Sequence, residues 1–149
     1  MLGEYKKKRH FSKTPEPAPR MKKSKSKQLI YSIQKHSATH LHYDLRLEKN
    51  GVLKSWAIPK EPPQKVGEKR LAVETEDHPI GYAFFEGEIP KGSYGAGKVE
   101  VWDRGSYKVV EEGKSHIVIK INGKKLKGEY VLVKTKLGGN QRNWLFFKR

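Results

Sequence analysis

The chain has 149 residues with no cysteine, and its 32 Lys and Arg against 16 Asp and Glu give a formal charge of +16. That length fits one domain, and the absence of thiols excludes disulfides, cysteine nucleophiles and Cys-ligated zinc, as suits a reducing interior. A pI near 9.9 with a mean hydropathy of −0.83 points to a polyanionic partner, nucleic acid first, because a merely solvated surface normally mixes both signs.

Membrane insertion is not expected, since apolar runs such as Tyr82-Ala83-Phe84-Phe85 are too short to cross a bilayer. The basic N-terminus is followed by no apolar stretch, so it does not read as a secretory signal, and the expectation is an intracellular soluble protein.

Residues 1–28 form a distinct arm: ten Lys or Arg against Glu4 and Glu16, a net +8, with Pro15, Pro17 and Pro19 forbidding helix. The Lys/Ser alternation from Lys22 to Lys27 has no apolar periodicity, which predicts an extended, flexible segment. A plain solubility tail fits the charge; a binding arm fits it better, because Tyr5, Phe11 and Glu16 stand among the cations.

Residues 29–149 carry β signals throughout. Alternation predicts strands over 29–35, 41–48, 52–58, 70–75, 98–103, 106–111, 116–121, 129–135 and 143–148. Asn50-Gly51, Gly113-Lys114 and Asn122-Gly123 are hairpin turns by residue type, and no window holds a helical stripe. Short strands joined by hairpins predict an all-β domain, a small closed or partly open barrel with short helical or irregular pieces. The site of such a fold lies in a groove or barrel mouth.

The strand over 41–48 carries the chemistry. Side chains alternate across a strand, so Leu41, Tyr43, Leu45 and Leu47 share a core face while His42, Asp44, Arg46 and Glu48 share the other. His42 and Asp44 are about 7 Å apart by strand rise, His36 can return to the same point through a short loop, and two imidazoles with a carboxylate suit a divalent first-row metal. Arg46 stands next along, where it can clamp an anion on that metal. By spacing alone the same face also fits an ordinary half-exposed strand with an Asp–Arg pair. His78, before Pro79, suits a phosphate contact or proton donor, and equally a capping histidine in a loop. The glycines of 89–97 are followed by a strand and not a helix, which rules out a dinucleotide fingerprint and predicts a barrel-corner loop. His40 and His116 are left outside the site.

Taken together, Gln34-Lys35-His36, Leu41-His42-Tyr43-Asp44-Leu45-Arg46-Leu47-Glu48, Ser55-Trp56-Ala57-Ile58-Pro59-Lys60, His78-Pro79-Ile80-Gly81-Tyr82, Phe85-Glu86-Gly87-Glu88-Ile89-Pro90, Gly92-Ser93-Tyr94-Gly95 and Trp102-Asp103-Arg104-Gly105 resemble the 3′-phosphoesterase domain of bacterial and archaeal DNA ligase D. The arm, with Tyr5, Lys8-Arg9, Phe11 and Thr14-Pro15-Glu16-Pro17, resembles that family's leading segment. The resemblance implies a β-barrel with one manganese ion held by His36, His42 and Asp44 in a crescent-shaped groove. It implies Arg46 and His78 on the phosphate, with Tyr82, Lys60 and Arg70 as further active-site residues. It implies Arg9, Glu16 and Glu76 in a first, phosphodiesterase step that removes a 3′-terminal ribonucleoside, before a phosphomonoesterase step leaves a 3′-hydroxyl. The family usually has an acidic residue where this chain has His10, which puts that acid's part in the first step in doubt here.

The implied partners are DNA primer–template 3′ ends and the ligase and polymerase modules of end joining, with a cytoplasmic, nucleoid-associated location. With no cysteine and no serine set beside a base, direct attack by water is favoured over a covalent enzyme, and a histidine–phosphate intermediate is the alternative. Two rivals share these residues. A non-haem iron oxygenase also uses His-x-Asp with a distant His. A non-catalytic nucleic-acid-binding barrel would use Trp56, Tyr82 and Tyr94 as stacking platforms.

Overall fold

The computed structural model describes residues 28–92, 96–136 and 141–149. Arg9, Glu16 and Tyr94 lie outside these, as does the arm up to residue 27. Among the described residues nine strands follow in chain order: β1 (Leu29–Ser37), β2 (Leu41–Lys49), β3 (Val52–Ile58), β4 (Lys69–Pro79), β5 (Gly87–Ile89), β6 (Gly97–Glu112), β7 (His116–Gly123), β8 (Lys127–Lys134) and β9 (Asn143–Lys148), with a 3-10 turn over Ile80–Tyr82. All strand pairs are antiparallel. The order β1-β2-β3-β4-β9-β8-β7-β6 closes on itself through β6–β1, giving an eight-stranded barrel, and β5 adds to β6 from outside.

Closure depends on the length of β6. Residues Lys98 to Tyr107 pair with β1, Gly105 to Glu112 pair with β7, and each ladder shifts register once. The two strands predicted over 98–103 and 106–111 are therefore one bent strand: bulges absorb the irregular alternation that split them in sequence. The β2–β3 hairpin forms where residue type placed it, with Asn50 at φ 51° and Gly51 at φ 82°, the left-handed pair that a two-residue turn requires. The turn predicted at Asn122-Gly123 lies further on, because both residues pair within β7 and the amide of Gly123 donates to the carbonyl of Leu126. Strand β5 was not anticipated; three residues are too few to show alternation.

The interior is filled from alternate positions of every barrel strand. Tyr31, Ile33, Leu45, Ile58, Ala72, Ile119, Tyr130, Leu132 and Phe146 are all fully buried, and Tyr130 stacks on Phe146 with ring centroids 5.1 Å apart. One end is capped by the buried Pro62 and Pro63, held by the Tyr130 hydroxyl donating to the Pro63 carbonyl at 2.8 Å.

A buried carboxylate fixes the seam. Asp103 accepts from the Tyr31 hydroxyl at 2.8 Å and from the amides of Lys124, Lys125 and Leu126 at 2.8–2.9 Å. It thereby ties the β7–β8 turn to the β1–β6 junction. Burial first, and the charge of Asp103 second, push the Tyr31 phenol well above its ordinary range, so the hydroxyl stays a donor. Asp103→Ala would strand four donors and is expected to lower stability by about 3 kcal/mol, read as a lower urea midpoint with an unchanged slope.

Candidate metal centre and phosphate cleft

The site is built on the outer wall of the barrel, not in its mouth. The β1–β2 ladder pairs His36 with His42, Gln34 with Asp44 and Ser32 with Arg46, so these six residues form two adjacent columns on one face. The face is shielded from water: Ser32, Gln34, His36, Asp44 and Arg46 are each at most 8% exposed. Gln34 explains the cover, since its Nε2 donates to the carbonyls of Tyr82 and Phe85, both at 3.0 Å, drawing the flap after β4 over the wall.

Three ligand atoms converge. His36 Nδ1 lies 3.1 Å from His42 Nε2, and Asp44 Oδ2 lies 3.3 Å from His42 Nε2 and 3.7 Å from His36 Nδ1. Donors that share one ion at about 2.1 Å stand roughly 3–3.5 Å apart, so the set fits a divalent cation with little adjustment. The carbonyl of His40 helps, because a carbonyl can only accept: its 3.1 Å contact holds the proton of His42 on Nδ1 and turns Nε2 toward the cluster. Such a partner on the second ring nitrogen is the usual way a ligating imidazole is oriented. Burial alone would push the Asp44 carboxyl up, but hydrogen bonds from His36 and His42 and the charge of Arg46 outweigh it and hold the group well below the usual carboxylate range. The hydrogen bond to Asp44 in turn raises His42 above an ordinary histidine, against the opposing effect of its burial.

Beside the three candidate ligands stands a cationic group, Arg46. Arg46 Nε donates to Gln34 Oε1 at 2.9 Å, leaving the guanidinium edge to span from Asp44 Oδ2 (3.7 Å from Nη2) to His78 Nδ1 (3.3 Å from Nη1). The carbonyl of Glu76 lies 3.0 Å from His78 Nδ1, which places the ring proton there and makes the approach of Arg46 a meeting of two donors. A guanidinium and an N–H-bearing ring side by side make this edge of the cleft suit an anionic ligand. Tyr82 completes the wall, 5.0 Å from the His78 ring, 5.2 Å from Arg46 Cζ and stacked on Phe85. Together His36, His42, Asp44, Arg46, His78 and Tyr82, with Thr75 and Glu76, line a cleft of about 290 Å³.

His78 reaches this face through a bulge. Trp56 pairs with Glu74 and Ser55 with Thr75, but Leu53 pairs with His78, so β4 gains one residue and its alternation inverts. Strict period two would have sent His78 inward; the extra residue re-aims it, and the loop expected around it is strand. Lys60 and Arg70 do not line the cleft. Lys60 is exposed after β3, and Arg70 at the start of β4 donates to the Glu61 carbonyl at 2.8 Å and lies 3.8 Å from Glu68. Gln34 was missed as a site residue, although its place two residues before His36 on one strand was the signal. Trp56, a proposed stacking platform, is 2% exposed and faces the interior, so it offers no surface to a nucleic acid.

A barrel whose wall carries a candidate metal centre beside an arginine and a histidine has the groups that a phosphoester-processing domain needs. Residues 34–134 match the family described as the DNA Ligase D 3′-phosphoesterase domain, and the chain belongs to that family. It is 50% identical over 99% of its length to the multifunctional non-homologous end joining protein LigD of Pseudomonas aeruginosa, of which it covers 18%. It is 47% identical over 97% of its length to the protein of that name from Mycolicibacterium smegmatis, covering 20% of it. Against the multifunctional non-homologous end joining DNA repair protein LigD of Mycobacterium tuberculosis the identity is 43%, over 97% of this chain and 19% of that protein. The chain thus spans about a fifth of the curated relatives it matches. Membership makes it a phosphoesterase-type hydrolase domain. Among the described residues no helix is long and apolar enough to cross a membrane.

The raised His42 sets a pH test. A cation at the three ligands must displace the proton that His42 holds to higher pH than usual. Metal affinity is therefore expected to fall, by up to about tenfold per pH unit, once the pH drops below that raised value. Calorimetric titration of manganese at about pH 8, 7 and 6 measures it.

Proposed function

We propose that this domain heals 3′ ends of DNA, removing a 3′-terminal ribonucleoside and then the remaining 3′-phosphate to leave a 3′-hydroxyl. The observation that carries this reading is that Arg46 joins the His36–His42–Asp44 set to His78 within one cleft. A transferring phosphoryl group spreads negative charge over its oxygens, and catalysis consists largely of neutralising and orienting it. Manganese is the ion proposed for His36, His42 and Asp44, although other divalent first-row metals suit the same donors. When bound it supplies positive charge and lowers the pKa of a coordinated water.

The protein's own groups do the rest. Arg46, held by Gln34, presents a fixed edge to two phosphate oxygens. His78, with Nδ1 committed to the Glu76 carbonyl, uses Nε2 to donate to the phosphate or to the departing oxygen. Tyr82 packs against both and keeps them in register. Water attacks phosphorus, the bond to the leaving oxygen breaks, and a proton is delivered to that oxygen. Lys60 and Arg70, outside the cleft, would extend the groove towards the DNA backbone, and Arg9, Glu16 and Glu76 would serve the diesterase step. Ligase and polymerase modules of the same repair process are the proposed partners, with the domain at work in the cytoplasm on the nucleoid.

The deciding experiment incubates the protein with end-labelled 3′-phosphate and 3′-ribonucleotide primer–templates, with manganese or chelator. Both ends should be healed only with metal. Folded His42→Ala and Asp44→Ala proteins should be inactive and lose manganese binding, whereas His78→Ala should lose about a hundredfold or more in rate while still binding the metal. Full activity in a folded His42→Ala protein would sink the reading.

Removing a terminal nucleoside requires a grip on sugar and base beyond the scissile phosphate, and such remote contacts help only the larger substrate. Deleting residues 1–28 is accordingly expected to reduce ribonucleoside removal strongly and to spare much of the phosphate removal. The two rates are compared at one low salt concentration, so that lost backbone attraction is not read as lost chemistry.

A further inference from the structure

The bulge that aims His78 at the cleft is gripped from the other side of the sheet. Between the pairs Leu53–His78 and Ser55–Thr75, Lys54 stands opposite both Glu76 and Asp77, the two-against-one count of a bulge. Glu76 is the extra residue, since Thr75, Glu76 and His78 all line the outer-wall cleft. Asp77, between Glu76 and His78, alternates to the opposite face. There Lys54 and Glu74 line the open mouth of the barrel, away from the Pro62-Pro63 cap. Lys54 Nζ lies 3.1 Å from Asp77 Oδ1 and 3.6 Å from Glu74 Oε2, and Glu74 is held in turn by Trp144 Nε1 at 3.0 Å.

The acceptor that sets the His78 ring, the Glu76 carbonyl at 3.0 Å, belongs to the bulge itself. Ring and acceptor therefore move together, and their place against Arg46 is set by what anchors the bulge from a neighbouring strand. The Lys54 ammonium is such an anchor. Asp77 is 6% exposed, and a carboxylate so buried becomes costly when its cation is removed. The backbone can relieve that cost by turning Asp77 towards water. Because neighbours alternate, this turn takes His78 off the outer face and brings a negative charge towards the place where an anion would bind.

We infer that the Lys54–Asp77 ion pair positions His78: it fixes the sense of the bulge, keeping the imidazole at the cleft and the carboxylate out of it. The catalytic consequence rests on the phosphoesterase reading of the cleft; the placement of the ring does not.

Three variants test the pair. Lys54→Met keeps the apolar stem and removes the charge, Lys54→Arg restores it, and Asp77→Asn breaks the pair while leaving Glu74 its lysine. Imidazole nitrogen-15 spectra are recorded on the metal-free full chain at about pH 8, above the ordinary histidine range. The parent and Lys54→Arg should hold the His78 proton on Nδ1, and Lys54→Met and Asp77→Asn should show a mixture of tautomers. With manganese and a 3′-phosphate primer–template, the two broken variants should lose about ten- to a hundredfold in kcat. KM should stay within about twofold, because the groups that hold the bound phosphate are untouched. In a His78→Ala chain the same changes should cost nothing more, since residues that act through one another are not additive. The parent's tautomer in a folded Lys54→Met or Asp77→Asn protein, or an equal further loss in the His78→Ala chain, would overturn the inference; if one variant does not fold, the other decides. The spectra need neither metal nor turnover, so failure of the 3′-end assay would count against the proposed function and leave the positioning result standing.

Discussion

The structure turns on one register, that of β1 against β2. Setting His36 opposite His42 across the three-residue link of Ala38, Thr39 and His40 fixes every other pair in the ladder. It brings Gln34 beside Asp44, and so lets one amide hold the clamp arginine. A slip of one residue would turn His42, Asp44 and Arg46 into the barrel and push Leu45 and Leu47 into water. The interior's demand for apolar side chains therefore enforces the geometry of the wall. The same alternation that buries Tyr43, Leu45 and Leu47 gathers the polar set outside, and the chemistry needs no separate device to specify it.

Burial gives that polar set its character. Asp44 stays ionised although the flap covers it, because His36, His42 and Arg46 all stabilise the charge. Removing any one partner would leave a buried charge partly uncompensated, which costs more than the pair is worth on balance. The opposite end of the chain's charge distribution behaves differently. The pairs at the barrel mouth and on its rim, such as Lys49–Glu112 and Arg149–Glu129, are exposed and add little stability each.

Much of this was legible in the residues. Period-two alternation located the core strands, Asn50-Gly51 located the first hairpin, and the parity of His42, Asp44 and Arg46 marked one polar face. The legible part was local. What escaped depended on contacts remote in sequence or on broken alternation. His78 could not be put on the outer face by counting, because the bulge opposite Leu53 inverts β4. The covered outer wall was equally hidden, since Gln34 draws the flap over it through carbonyls 48 and 51 positions further along the chain. Only the binding-barrel alternative placed Trp56 at the surface, and it faces the interior; an isolated aromatic carries no sign of direction.

The means by which the flap is held has a consequence for variation. Gln34 grips main-chain carbonyls, those of Tyr82 and Phe85, and every residue type supplies a carbonyl. The fastening is therefore blind to the identity of the residues it fastens. The flap's side chains can change without loosening it from the wall.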